Sequence, residues 1–263
     1  MSVVPQRSDV QIVDYETAAG GGADHAALLV TRDGAVRRES LAPGTTLSYT
    51  LGERHCAGTF DEVEHTPCTR EKAPYCDQHT SRWACARCTG DCDLPLSSCM
   101  DEHAVYLAAF APATFKVGVT RSWRLETRLR EQGADRAAHL RTVGDGRIAR
   151  QIESDIAVDV GDRVRVPTKQ NGLHRTVDEN AWQDLLADFD PLATYSFDYG
   201  LDLTERPVAE TLATGTVRGT QGRVLVLDTN GSTYAVDMRD LVGYDLETGE
   251  TDRQLQSSLG AFQ

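Results

Sequence analysis

All seven cysteines of this 263-residue chain fall between positions 56 and 99, and none occurs elsewhere. A segment this rich in turns and thiols builds no conventional hydrophobic core, so something other than apolar burial must hold it. The odd number argues against a closed disulfide framework, and the reducing cytoplasm expected for the chain argues the same way. Zinc accounts for the pattern. Cys76-x2-His79 and Cys85-x2-Cys88 have the spacing with which two ligands on one tight turn reach a single tetrahedral ion. Cys92 and Cys99 follow within reach, and Cys56 and Cys68 lie upstream. Together with His79 they make eight ligands, enough for one or two ions. The preferred partition gives Cys56, Cys68, Cys76 and His79 to one ion and Cys85, Cys88, Cys92 and Cys99 to the other. An interleaved pairing satisfies the same count, and His55, His65 and His103 flank the window as substitutes. Filled four-coordinate sites leave no place for a reactive water, so the zinc is expected to be structural.

The charge balance constrains the setting more than the function. Asp and Glu number 40 against 27 Lys and Arg, a formal charge of −13, and the only lysines are Lys72, Lys116 and Lys169. An acidic, lysine-poor chain resembles haloarchaeal cytoplasmic proteins, whose surface acids keep them hydrated in concentrated salt. Such a charge speaks to solubility and association, and does not exclude a nucleic-acid partner. No apolar run reaches the ~18 residues of a membrane span. The first 38 residues lack the basic flank and apolar core of a secretory signal. The expectation is a halophilic, cytoplasmic protein without a membrane partner.

The pattern along the chain predicts an α+β fold in four segments. Residues 1–53 read as a small β domain, with strands at 26–31 and 45–51 and a turn at Arg32-Asp33-Gly34 between them. Residues 54–103 are the zinc-binding segment. Residues 104–190 begin β-β-α-β-α: strands at 105–110 and 115–119, then a helix capped by Ser122 and ended by Gly133, a strand at 138–143, and a helix over 145–158. In that last helix Ile148, Ile152 and Ile156 recur at one-turn spacing and, with Ala149 widening it, predict the inward stripe. A connector over 161–190 holds one amphipathic helix capped by Asp178, with Trp182, Leu185, Leu186 and Phe189 as its apolar face. Residues 191–263 read as a small barrel-like β domain with a mobile tail, in which Asn230-Gly231 between alternating strands signals a hairpin. Disorder is expected only in the Gly-rich stretch 18–23 and after Gly249.

Basic residues concentrate where the acids do not. From Lys116 to Arg150 there are nine basic residues (Lys116 and Arg121, Arg124, Arg128, Arg130, Arg136, Arg141, Arg147, Arg150) against four acids (Glu126, Glu131, Asp135, Asp145), a local +5. Arg121, Arg124 and Arg128 share one stripe of a helix. Arginine suits bidentate phosphate binding, so Lys116, Arg121, Arg124 and Arg128 are candidate contacts to DNA or RNA.

These residues also carry a family resemblance. Val105-Tyr106-Leu107 and Lys116-Val117-Gly118 on successive strands, followed by an arginine and then a glutamate on the next two helices, resemble the GIY-YIG nuclease superfamily. The resemblance implies that Tyr106 helps activate water, Arg128 (or, in second place, Arg124) binds phosphate, and Glu153 holds a magnesium or manganese ion that polarises the scissile phosphate. Lys116 stands where the family's second tyrosine belongs, which favours binding over cleavage. A wider likeness, through Cys56-Ala57-Gly58, Pro67-Cys68, the KVG strand, Glu131-Gln132-Gly133-Ala134 and Gly243-Tyr244-Asp245, is to a prokaryotic family of unknown function. Three functions follow as expectations: a zinc-containing nucleic-acid-binding protein with little or no cleavage, an active metal-dependent endonuclease, and a zinc-stabilised interaction module.

Overall fold

Short alternating runs punctuated by tight turns make strands, and strands need partners. The computed structural model describes residues 10–18, 25–61, 64–80, 88–92 and 97–249. Two compact units result, the first from Met1–Ser81 with Pro207–Gln263, the second from Arg82–Arg206. The first unit opens with β1 (Gln11–Glu16), β2 (Ala27–Arg32), β3 (Ala35–Ser40), β4 (Thr46–Arg54) and the short β5 (Thr59–Phe60) and β6 (His65–Thr66). The second unit contains β7 (His103–Phe110), β8 (Thr114–Arg121), α1 (Leu125–Gln132), β9 (Arg136–Val143), α2 (Gly146–Val160), α3 (Val166–Gly172), α4 (Glu179–Leu186) and β10 (Ala193–Ser196). The chain then completes the first unit with β11 (Val208–Ala209), β12 (Ala213–Gln221), β13 (Val224–Thr229), β14 (Ser232–Asp237), α5 (Met238–Leu241) and β15 (Tyr244–Thr248). Among the described residues no helix is long and apolar enough to cross a membrane.

The first unit is a nine-stranded sheet in the order β11-β14-β13-β12-β4-β15-β1-β2-β3. The barrel-like C-terminal domain expected over 191–263 is therefore corrected: the sheet is not a closed barrel, and its C-terminal strands interleave with those expected to form a separate domain over 1–53. β4 lies between β12 and β15, and β15 pairs with β1. Period-two alternation marks which face of a strand is buried, but not which strand lies beside it. The β13–β14 hairpin closes at Asn230-Gly231, both at positive φ (51° and 74°), as a two-residue turn matched to strand twist requires. Ile12, Leu28, Leu47, Leu225, Leu227, Tyr234 and Met238 belong to one buried core.

In the second unit β10, β9, β7 and β8 form an antiparallel sheet in that order. β7 is central and feeds two cores. Val105, Leu107 and Ala109 pack with Ala149 of α2 and Trp182 and Leu186 of α4, while Ala104, Tyr106, Ala108 and Phe110 pack with Leu125 and Leu129 of α1. Burial on both faces explains its unbroken apolar run.

Three helix expectations change. Ser122 does not cap α1; it begins a 3-10 turn (Ser122–Arg124) and its buried Oγ finds no partner among the described residues. Gly133, at φ 70°, does end that helix. Ile148 is 48 % exposed, whereas Ala149, Ile152, Ile156 and Val160 face the core. Of the expected stripe, only Ile148 falls outside it. The connector holds two helices, because Pro167 starts α3 ahead of α4. The Gly-rich stretch from 19 onward and the tail after Gly249 lie outside the described residues.

Candidate metal centre and basic cleft

The first site grows from the end of β4. Cys56, Cys68, Cys76 and His79 bring their ligand atoms within 4.8 Å of one another. Cys56 Sγ lies 3.2 Å from His79 Nδ1, and Cys76 Sγ lies 3.5 Å from the same nitrogen. Four atoms around a tetrahedral ion at bond lengths of about 2.0–2.3 Å have separations of this order. The backbone N–H groups of Gly58 (3.4 Å) and Cys76 (3.2 Å) donate to Cys56 Sγ, which favours thiolate there. Gly58 has φ 71°, and a Cβ on it would lie 2.1 Å from the Thr66 carbonyl oxygen, so the turn admits no side chain. Burial pushes the Cys56 thiol up. Burial opposes ionisation of Cys76 too, yet the N–H groups of Gln78 and His79 and the neighbouring thiols bring it below its ordinary value. This Cys3His group is suited to a metal ion such as zinc.

Neighbouring histidines support the site without joining it. His55 Nε2 meets Asp245 Oδ1 at 3.0 Å, and its Nδ1 lies 2.9 Å from the Cys68 carbonyl oxygen. Gln11 Nε2 donates to the Gly243 carbonyl at 3.0 Å and lies 3.2 Å from the same imidazole. This buried network ties the cysteine segment to β1 and β15. His65 Nε2 is spent on the Ala57 carbonyl; His103, which belongs to the second unit, has its Nδ1 on the Asp101 carbonyl.

The second site lies along β8, the edge strand of the second unit's sheet, between α1 and α2. It is a cleft of about 700 Å³. Tyr106, Lys116, Arg121, Arg124, Arg128 and Glu153 all line it, as do Gln132, Arg147, Arg150, Asp162 and Arg163. Seven basic side chains therefore meet two carboxylates, a surplus of five positive charges in the lining. Part of that charge is answered from outside. Glu131 binds both Arg124 (2.7 Å) and Arg128 (3.1 Å), Asp101 binds Arg121 (3.1 Å), and Asp145 binds Arg147 (3.1 Å).

Tyr106 and Gly118 face each other across the β7–β8 ladder. A Cβ on Gly118 would lie 2.5 Å from Tyr106 Oη, so glycine lets the ring lie across β8. Gln132 Nε2 donates to Tyr106 Oη at 2.7 Å, leaving the hydroxyl proton free to donate. Gln132 Oε1 is buried without a partner among the described residues. Burial raises the Tyr106 hydroxyl's pKa. It pushes the Lys116 ammonium down to about 8, an effect Glu153 opposes and Arg128 reinforces. Glu153, 14 % exposed at its side chain, accepts from Arg150 Nη1 at 2.6 Å.

Gln132 was not among the sequence candidates, although it sits one helical turn beyond Arg128 on the same face of α1. Arg147 and Arg150 were visible only as members of the basic run. Cys88 and Cys99 also line the cleft. Cys85 lies outside the described residues.

A family model described as "Protein of unknown function (DUF2797)" matches residues 44–246. No curated protein and no solved structure matches the chain.

Proposed function

We propose that this chain, which belongs to the DUF2797 family, binds DNA or RNA through the cleft of its second unit, with little or no cleavage, while a structural zinc ion at Cys56, Cys68, Cys76 and His79 braces the first. The observation that carries the reading is the convergence of seven basic side chains on one cleft in a chain of net charge −13. Arg124 and Arg128 line the cleft together with Tyr106, a combination suited to phosphate oxygens. Trp123, 74 % exposed on the turn between Arg121 and Arg124, offers a face on which a base can stack. A halophilic, cytoplasmic setting makes the demand on these contacts severe, since phosphate binding weakens steeply with salt.

The test is a salt titration of oligonucleotide binding. Arg124→Ala with Arg128→Ala should weaken binding and make the slope of log K against log salt shallower by about 1–2, one counterion release or so per lost phosphate contact. Glu131→Gln, which releases both arginines from their shared carboxylate, should strengthen it. Unchanged binding in the double variant, with the fold intact, would favour a zinc-stabilised interaction module instead.

A second reading is cleavage of the GIY-YIG type, and the juxtaposition of Tyr106, Lys116, Arg128 and Glu153 in the cleft favours it. The β-β-α-β-α order of β7 to α2 supports the same resemblance. Glu153 would hold magnesium or manganese after release from Arg150, and the ion would polarise the phosphate. If the wild type cleaves, Glu153→Gln should abolish it while leaving zinc content unchanged.

A further inference from the structure

Each of the six arginines lining the cleft has a carboxylate within ion-pairing distance. Lys116, the only lysine there, forms neither a hydrogen bond nor an ion pair among the described residues. The chain's other two lysines are engaged: Lys72 pairs with Asp77, and Lys169 Nζ donates to the Gln132 carbonyl at 2.6 Å. A guanidinium stays protonated and is no nucleophile. A half-buried amine among other cations holds its proton less firmly, and burial brings Lys116 to about 8. Part of it is therefore neutral near neutral pH, with its lone pair available.

The surroundings suit attack on a carbonyl. Lys116 faces Ala108 across the β7–β8 ladder, one diagonal from the Tyr106–Gly118 pair. Tyr106 Oη accepts from Gln132 Nε2 and keeps its own proton to give. Glu153 lines the same cleft, with its carboxylate on Arg150 Nη1. In a nucleic-acid strand, the carbonyl set between phosphates is the C1′ aldehyde of a deoxyribose that has lost its base. Such a sugar carries a phosphate on each side, which the surrounding arginines suit.

We propose that Lys116 is the nucleophile of a lyase acting on abasic sites in DNA, a role that deepens the nucleic-acid reading above and rests on it. Lys116 Nζ attacks the C1′ aldehyde of the opened sugar, and the adduct loses water to give a protonated imine. Tyr106 lends the proton that turns the departing hydroxide into water, and regains it from solvent. Glu153 removes a proton from C2′. The C3′–O bond then breaks, and its electron pair leaves with the phosphate, which becomes the 5′ end of the downstream fragment. Water hydrolyses the imine, returning the amine and leaving an unsaturated aldehyde on the upstream fragment. One water is released and one consumed, with no oxidant or reductant. An intact strand offers no aldehyde, so it is bound and left uncut.

Borohydride trapping of the full chain on a labelled duplex with one abasic site tests it, without added magnesium or manganese. Borohydride reduces the imine to a stable amine, so the wild type should give a covalent adduct that peptide mapping places on Lys116. Without borohydride, the cut strand should end in the unsaturated aldehyde rather than a 3′ hydroxyl. Lys116→Arg should give no adduct; should it fail to fold, the position mapped in the wild type decides. No adduct, an adduct on Lys72, Lys169 or the N-terminus, or one that survives in Lys116→Arg overturns the lyase. Binding of the abasic duplex and its intact counterpart is measured in parallel. A wild type that binds both and forms no adduct defeats the lyase alone, whereas one that binds neither defeats the nucleic-acid reading with it.

Discussion

Lys116 is the cleft cation whose charge is most at risk, because burial has brought its pKa to about 8. Below that pH it is charged and attracts phosphate; above it, the charge is lost. Oligonucleotide affinity should therefore fall as pH rises through about 8. Lys116→Arg, with a guanidinium that stays protonated, should remove that fall, and Lys116→Met should bind weakly on both sides of it. Stability moves the opposite way. Between about 8 and 10.5 the folded chain binds fewer protons than the unfolded one, so folding should strengthen with rising pH across that window. A binding curve flat from pH 7 to 9 would contradict this placement of Lys116. Residue types were legible in the sequence here, since Tyr106, Lys116, Arg128 and Glu153 were all singled out and all line one cleft. The Glu131 fork and the Gln132 contact to Tyr106 were not, because both depend on how far α1 is rotated against β8.

Helix α2 is where periodicity held for every expected inward residue but one. Its 15 residues end at Val160, and Asp145 caps it by accepting from Arg147 N at 2.8 Å. Ala149, Ile152 and Ile156 face inward as their spacing implies, while 3.6-residue geometry carries Ile148, one position before Ala149, toward solvent. Small Ala149 is fully buried, which allows close approach to the sheet. Charged Arg150 and Glu153 then fall at the cleft margin instead of in solvent. Ile148→Ala should change stability by no more than about 0.5 kcal/mol. Ile152→Ala should cost about 2 kcal/mol, the low end for a residue only partly buried, and Asp145→Ala about 1 kcal/mol through the lost cap. Denaturation midpoints of the three variants check the order, and an Ile148 variant as damaged as the Ile152 variant would contradict the observed rotation.

At the scale of the whole molecule, the first unit is discontinuous, so the strands before Ser81 and after Pro207 must find each other for its core to form. The Cys3His group, tied through His55 to Asp245 on β15, sits where those two parts meet. Removing the metal should therefore destabilise the sheet as well as the cysteine segment. Chelator treatment is expected to lower the melting temperature, and less than half an equivalent of zinc in reducing buffer would refute the site. The sequence alone determined that cysteines and His79 could gather into a group able to hold a metal ion, that the chain would be α+β, and that positive charge would gather between Lys116 and Arg150. Ligand spacing, alternation and charge counts are local properties, readable along a line. Tertiary structure decided the rest: that N- and C-terminal strands share one open sheet, that His55 supports the metal group rather than joining it, and that α1 and α2 flank β8 to make a cleft. Those outcomes depend on which distant strands pair and on how helices are rotated, and both are settled by packing between residues that no local pattern links.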